Sequence, residues 1–196
     1  MEKFKTISII LAVLLAICIA VIIYLILINL PMEKDTGEEI ERKWLINKDK
    51  IPYDLNSAVK QEIEQTYISF SPEIRVRNIN NGEKYILTIK SNMSVDGLVR
   101  DEKEYYISKE EYESLLKKRE GNTILKTRYQ IFENGNILEI DIFKNQLEGL
   151  AYMEIEFPNE EKAKAYKDPE WVIKDVTSDV RYKNGHLARY GIPSNN

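Results

Sequence analysis

Residues 123–144 read TILKTRYQIFENGNILEIDIFK, two alternating segments joined by a turn, and they set the pattern for the rest of the chain. Successive strand side chains point to opposite faces. Leu125, Tyr129 and Ile131 therefore oppose Lys126 and Arg128, and Leu138, Ile140 and Ile142 oppose Glu139 and Asp141. Asn134-Gly135 between them supplies the positive φ values of a tight hairpin, so the two segments pair antiparallel.

Working outward, the same period-2 alternation marks strands near 38–47, 62–70, 73–80, 84–91, 98–107, 123–133, 136–144 and 150–157. Asn80-Asn81-Gly82 makes a second hairpin turn. Eight strands suffice to close a barrel. Ser108 followed by Glu110 and Glu111 starts a short helix carrying Tyr112, Leu115 and Leu116. A second helix begins near Asn159, where Glu160 and Glu161 suit the positive end of the helix dipole, and a last one spans about 181–189. The expected fold is thus β-dominated α+β, an eight-stranded antiparallel barrel with peripheral helices. Trp171 reads as a packing anchor.

Ahead of this lie 24 consecutive uncharged residues from Ile7 to Leu30, which as a helix cover roughly 36 Å, enough to cross a bilayer. The run exceeds the core of a cleavable signal, and no small-x-small site precedes Pro31. The expected organisation is a tail at 1–6, a transmembrane helix at 7–30, a linker at 31–37 and one domain at 38–192. Lys3 and Lys5 favour a cytoplasmic start, which would leave the domain on the extracytoplasmic side of the cell membrane.

Composition excludes several chemistries. The net charge of −4 gives no basic excess for nucleic acid. The only cysteine, Cys18, lies in the apolar run, so no disulfide framework or thiolate metal site is available. The single histidine, His186, reads as a surface helix residue, which argues against Ser-His-Asp catalysis. No obligate protein partner is evident.

Amphipathic sheets ordinarily turn charged faces to water and mix their signs. Here the signs segregate: Arg75 with Arg77, Lys126 with Arg128, Glu139 with Asp141, and Glu154 with Glu156 each place like charges about 7 Å apart on one face. Phosphate chains call for cationic side chains, arginine above all because its planar fork makes bidentate bonds. Magnesium calls for carboxylates, completed by waters and phosphate oxygens. A face carrying both sets suits a metal–polyphosphate complex.

Glu39-Ile40-Glu41-Arg42-Lys43 is an ExExK pattern, followed in order by Ile74-Arg75-Val76-Arg77, Leu87-Thr88-Ile89-Lys90, Arg100 to Tyr105, Lys126-Thr127-Arg128-Tyr129, Glu139 to Phe143, Glu154 to Phe157 and Asp175 to Tyr182. This series resembles the CYTH domain or triphosphate tunnel metalloenzyme family, which includes class IV adenylyl cyclases and thiamine triphosphatase-like proteins. The resemblance implies a tunnel whose charged faces point inward. It implies Lys43 as the catalytic lysine that positions water. Arg75, Arg77, Lys90, Lys126, Arg128 and Arg181 would hold phosphate, while Glu39, Glu41, Glu139, Asp141, Glu154 and Glu156 would hold Mg2+ or Mn2+. Arg100, Glu102 and Glu104 fall on a tunnel strand without a firm role. The implied activity is metal-dependent hydrolysis of a small triphosphate, inorganic tripolyphosphate first. Cyclisation of ATP, hydrolysis of thiamine or nucleoside triphosphates, and a non-catalytic membrane-tethered polyphosphate-binding module remain alternatives.

Overall fold

The computed structural model describes residues 33–94 and 98–194. All eight expected strands form: β1 (Glu33–Ile46), β2 (Val59–Phe70), β3 (Glu73–Ile79), β4 (Lys84–Met93), β5 (Val99–Ile107), β6 (Glu120–Glu133), β7 (Asn136–Phe143) and β8 (Ala151–Glu156). They hydrogen-bond in the order β5-β4-β3-β2-β6-β7-β8-β1, and a β5–β1 pairing closes the ring. Every pairing is antiparallel. β1 begins at Glu33, so residues 33–37, expected as linker, belong to the barrel. The expected tail and transmembrane helix at 7–30 lie outside the described residues. Among the described residues no helix is long and apolar enough to cross a membrane.

A ninth strand, β9 (Val172–Asp175), was not expected. β5 pairs with β1 only as far as Ile40, and β9 pairs with Trp44–Ile46 beyond it. Two hairpin turns follow the expected chemistry, with φ of 50° and 56° at Asn80 and Asn81, and 50° and 80° at Asn134 and Gly135.

Three helices pack around the ring: α1 (Lys109–Leu116), α2 (Glu160–Ala165) and α3 (Asn184–Tyr190). Ser108 and Glu111 form a reciprocal capping box on α1, and the Asn159 side chain caps α2. The last expected helix is split, with a 3-10 turn at Val180–Tyr182 preceding α3. α1 lies over β2, β3 and β4, its Tyr112 ring 4.8 Å from Tyr85. α2 covers a cluster that includes Trp44, Leu138, Ile140, Met153 and Ile155. Trp171 joins that cluster and meets Tyr53 edge-on at 5.8 Å. α3 sits on β2 and β6 beside Tyr67, Ile124 and Tyr182. A side chain at Gly121, where φ is +70°, would come within 2.8 Å of the Ala188 carbonyl, so that glycine permits the seating.

The apolar faces thus turn outward under helices, and the charged faces turn inward. Two exceptions are informative. Tyr67, Ile124, Phe143 and Tyr152 share the parity of Gln65, Lys126, Asp141 and Glu154 and pack together in the cluster beside α3. Ile63, Ile79 and Ile86 cluster with Tyr106 and share the parity of Gln65, Arg77, Lys90 and Glu104. They fill the part of the interior between β2 and β5 that carries no charge.

Candidate active site

The inward faces enclose a cavity of about 210 Å³. β1 contributes Glu39, Glu41 and Lys43; β3 contributes Arg75 and Arg77; β4 contributes Lys90; β5 contributes Arg100, Glu102 and Glu104. The opposite wall holds Lys126 and Arg128 of β6, Glu139 of β7, and Glu154 and Glu156 of β8. These are the sequence-expected residues, gathered from seven strands by strict alternation.

Two expected residues lie elsewhere. Arg181 is half-exposed on the 3-10 turn and is held by Asp179, Nη2 to Oδ2 at 2.7 Å, away from the cavity lining. Its side chain follows the turn rather than a strand, so barrel parity does not apply. Asp141 shares the inward parity but is fully buried and absent from the lining. It lies under Lys126 and Arg128 and pairs with both, so in this structure it supports two cations. Conversely Glu73, Lys183 and Asn184 line the cavity without having been singled out. Glu73 shares the parity of Arg75 and Arg77, and that signal was available. Lys183 enters from the segment before α3, which no strand pattern reveals. His186 sits on α3 against Tyr190 at 4.6 Å and outside the lining.

The cations and carboxylates neutralise one another. Lys43 Nζ is 2.7 Å from Glu154 Oε1 and 3.7 Å from Glu41 Oε1. Arg128 bonds Asp141 at 2.6 and 2.7 Å through two nitrogens, reaches Glu154 at 2.5 Å, and pairs with Glu139. Lys126 pairs with Asp141. On the other wall Lys90 bridges Glu39 and Glu102, Arg77 pairs with Glu104, Arg75 stands 3.5 Å from Glu102, and Arg100 bonds Glu73 at 2.7 Å. Even so, the Nε atoms of Arg75, Arg77 and Arg100 are buried with no hydrogen-bond partner. An unmet buried donor of this kind costs about 1–3 kcal/mol, which an incoming oxyanion would recover.

The titration behaviour follows the same geography. Burial works against the charge on Lys43, but Glu154 and Glu41 outweigh it and hold the ammonium protonated well above the ordinary lysine range. Burial also opposes ionised Glu154, yet Lys43, Arg128 and Lys126 hold its carboxyl well below the usual carboxylate range. Glu102 is treated alike: burial resists, while a hydrogen bond from Glu39 and the charges of Arg75 and Lys90 bring it down to about 2. Glu41 goes the other way. Burial and the neighbouring Glu154 and Glu39 raise it, and Lys43 only partly compensates. Burial likewise raises Glu39 against the pull of Lys90. Arg77 is pushed down to about 10 by burial and by Arg75 and Arg128. Burial and Lys43 lower Lys183.

Among the described residues no group of three or more His, Cys, Asp or Glu stands as a ready-made metal cage. Glu39 rests on Lys90, Glu139 on Arg128, and Glu154 between Lys43 and Arg128. The donor chemistry nevertheless fits a hard cation: all-oxygen ligands, crowded enough that Glu39 and Glu41 resist ionisation. Magnesium needs only one or two protein carboxylates when phosphate oxygens complete its shell.

Comparison with known proteins gives a consistent result. The CYTH domain model matches residues 37–189. The inorganic triphosphatase of Nitrosomonas europaea is 37% identical over 154 residues, covering 76% of this chain and 96% of the relative. The inorganic triphosphatase of Acetivibrio thermocellus is 35% identical over 157 residues, covering 78% and 94%. Among solved structures, the crystal structure of the inorganic triphosphatase NE1496 superposes with a TM-score of 0.55 at 33% identity, covering 76% of this chain and 93% of that one.

Proposed function

Because the chain belongs to the CYTH domain family, we propose that it hydrolyses inorganic tripolyphosphate with a divalent cation, by water attack on a terminal phosphorus inside the barrel. The observation that carries this reading is the set of buried, unpartnered guanidinium Nε donors on Arg75, Arg77 and Arg100 along a cavity that also holds crowded carboxylates. An extended polyanion supplies what those donors lack. The relatives described as inorganic triphosphatases support the choice of substrate.

Phosphoryl transfer asks chiefly for positioning and charge stabilisation, so the chain needs no nucleophile of its own. Arg75, Arg77, Lys90, Lys126 and Arg128 hold phosphate oxygens. Asp141 keeps Lys126 and Arg128 in place beneath them. Glu39, Glu41, Glu139, Glu154 and Glu156 would hold the cation, Mg2+ or Mn2+. When bound, it supplies neutralisation of the phosphate chain and polarisation of the attacking water. Lys43, kept protonated by Glu154 and Glu41, is a poor general base. Its role is to donate: it orients the water and offsets charge developing on the phosphoryl oxygens.

Residues 7–30 hold the chain in a membrane, in this reading, with the barrel on the extracytoplasmic side. The uninterrupted apolar run and the preceding Lys3 and Lys5 support it. Resistance of the full chain to alkaline carbonate extraction tests the anchor, and a C-terminal reporter active only in the cytoplasm would reverse the orientation.

The test of the activity is phosphate release by the full chain in detergent, with Mg2+ or Mn2+, from tripolyphosphate, thiamine triphosphate and ATP. Tripolyphosphate is expected to give the highest kcat/KM. A clear preference for either organic triphosphate would overturn the substrate assignment.

A further inference from the structure

Lys43 is held not only from inside the barrel but also through its own peptide. Its amide donates to Thr177 Oγ1 at 3.0 Å, and its carbonyl accepts from the Val176 amide at 2.9 Å and from the Thr177 hydroxyl at 3.4 Å. Residues 176–177 directly follow β9, so the placement of Lys43 depends on what fixes that segment. Asp175 does so on one side, its Oδ1 accepting from the Thr177 amide at 2.8 Å. Its other oxygen, Oδ2, accepts from Arg42 Nε at 3.2 Å and also from Arg42 Nη2.

Arg42 lies between Glu41 and Lys43 in sequence, and alternation throws it to the outer face of the barrel. There its guanidinium stacks over Trp44, 4.6 Å to the ring centroid. It donates to the Tyr166 carbonyl at 2.7 Å, the Ala163 carbonyl at 3.3 Å and Asp168 Oδ1 at 2.6 Å. The two carbonyls belong to the end of α2, where backbone acceptors have no helical partner. One side chain thus ties α2, β9 and β1 together at the residue next to Lys43.

We propose that Arg42, Asp175 and Thr177 form a positioning relay that sets the location of the Lys43 ammonium in the tunnel from the outside of the barrel. The inference rests on the role given to Lys43 above. None of the three touches substrate; each acts through the Lys43 peptide. A shift of about 1 Å in a reacting group can cost on the order of a hundredfold in rate, so loss of one link has a measurable effect on turnover.

The test is a double-mutant cycle on the full chain in detergent. Thr177→Val keeps the shape and removes the hydroxyl. It is expected to lower kcat for tripolyphosphate about tenfold with KM little changed, and Thr177→Ser to restore it. In a Lys43→Ala background, Thr177→Val is expected to have no further effect, because the group it positions is gone. An equal loss in both backgrounds, or no loss in either, overturns the relay. A second measurement is independent of turnover and of whether Thr177→Val folds. In Arg42→Met the Lys43 amide should exchange its hydrogen faster, while amides of β3 keep their rates. Unchanged protection at Lys43, or uniform loss across the barrel, also overturns it. Absence of triphosphatase activity in the unaltered chain would count against the proposed function alone, and amide exchange would still decide the relay.

Discussion

Lys43 and Glu154 are direct partners across the β1–β8 ladder, and their side chains meet inside the barrel with Nζ 2.7 Å from Oε1. Both are almost fully buried, with side-chain exposures of 3% and 5%. Breaking a buried pair by removing one partner leaves the other charge uncompensated, which usually costs about 3–5 kcal/mol. Here Arg128 also contacts Glu154, at 2.5 Å, so that carboxylate keeps a second cation when Lys43 is lost.

Lys43→Ala should therefore leave a folded protein that still binds substrate. Turnover of tripolyphosphate is expected to fall on the order of 10²–10³-fold, the usual loss when one stabilising donor is removed. KM should change little, since the interaction lost belongs to the transition state. Steady-state kinetics with a folding control checks this; unchanged kcat would remove Lys43 from the mechanism.

Arg75→Met should act on binding first. Charge-assisted hydrogen bonds contribute about 1.5–3 kcal/mol, so losing the guanidinium is expected to weaken tripolyphosphate binding about ten- to hundredfold. Calorimetric titration with the substrate in the absence of metal reads that change apart from turnover. Equal affinity in the variant would place the anion elsewhere.

Asp141→Asn tests the support beneath the cationic wall. Asp141 is fully buried and carries both Lys126 and Arg128. Neutralising it removes the ion-pair partner of buried Lys126, while Arg128 keeps Glu139 and Glu154, and a loss of about 3–5 kcal/mol in unfolding free energy is expected. Urea denaturation measures it. A stability within about 0.5 kcal/mol of the unaltered protein, the range of ordinary surface changes, would contradict the buried network.

The pH dependence of stability should carry two opposed contributions. Glu102 is depressed to about 2 from 4.5, so its stabilisation is complete above about pH 4.5 and is lost as pH falls towards 2. Glu154 acts in the same sense. Glu41 is raised, so its contribution is present below its unfolded value near 4.5 and is lost as pH rises through its folded value. Glu41→Gln should accordingly raise the Tm of the metal-free protein at neutral pH while reducing activity, and Glu102→Gln should flatten the acid limb. A lower Tm for Glu41→Gln at neutral pH would contradict the crowding of carboxylates on β1.

The strands were legible in sequence because alternation, turn residues and sign segregation agreed. The direction of the charged faces was not. Parity sorts a strand into two faces but does not say which one meets water, and only the resemblance carried by the ordered motifs pointed inward. Residues outside that logic escaped. β9 is four residues long and exists by pairing with the free edge of β1 after Ile40. Lys183 reaches the cavity from a turn before α3, whereas Arg181, two residues earlier, bonds Asp179 on the surface. Asp141 has the inward parity, and its ion pairs with Lys126 and Arg128 beneath the lining are not something alternation reveals.

A crystal structure of the protein with the non-hydrolysable analogue imidotriphosphate addresses the central claim most directly. The analogue is expected inside the barrel, with its oxygens within hydrogen-bonding distance of Arg75, Arg77 and Arg128. An analogue bound on the outer surface, or a cavity whose ion pairs persist unchanged at saturating analogue, would contradict the assignment of this tunnel as the site of triphosphate hydrolysis.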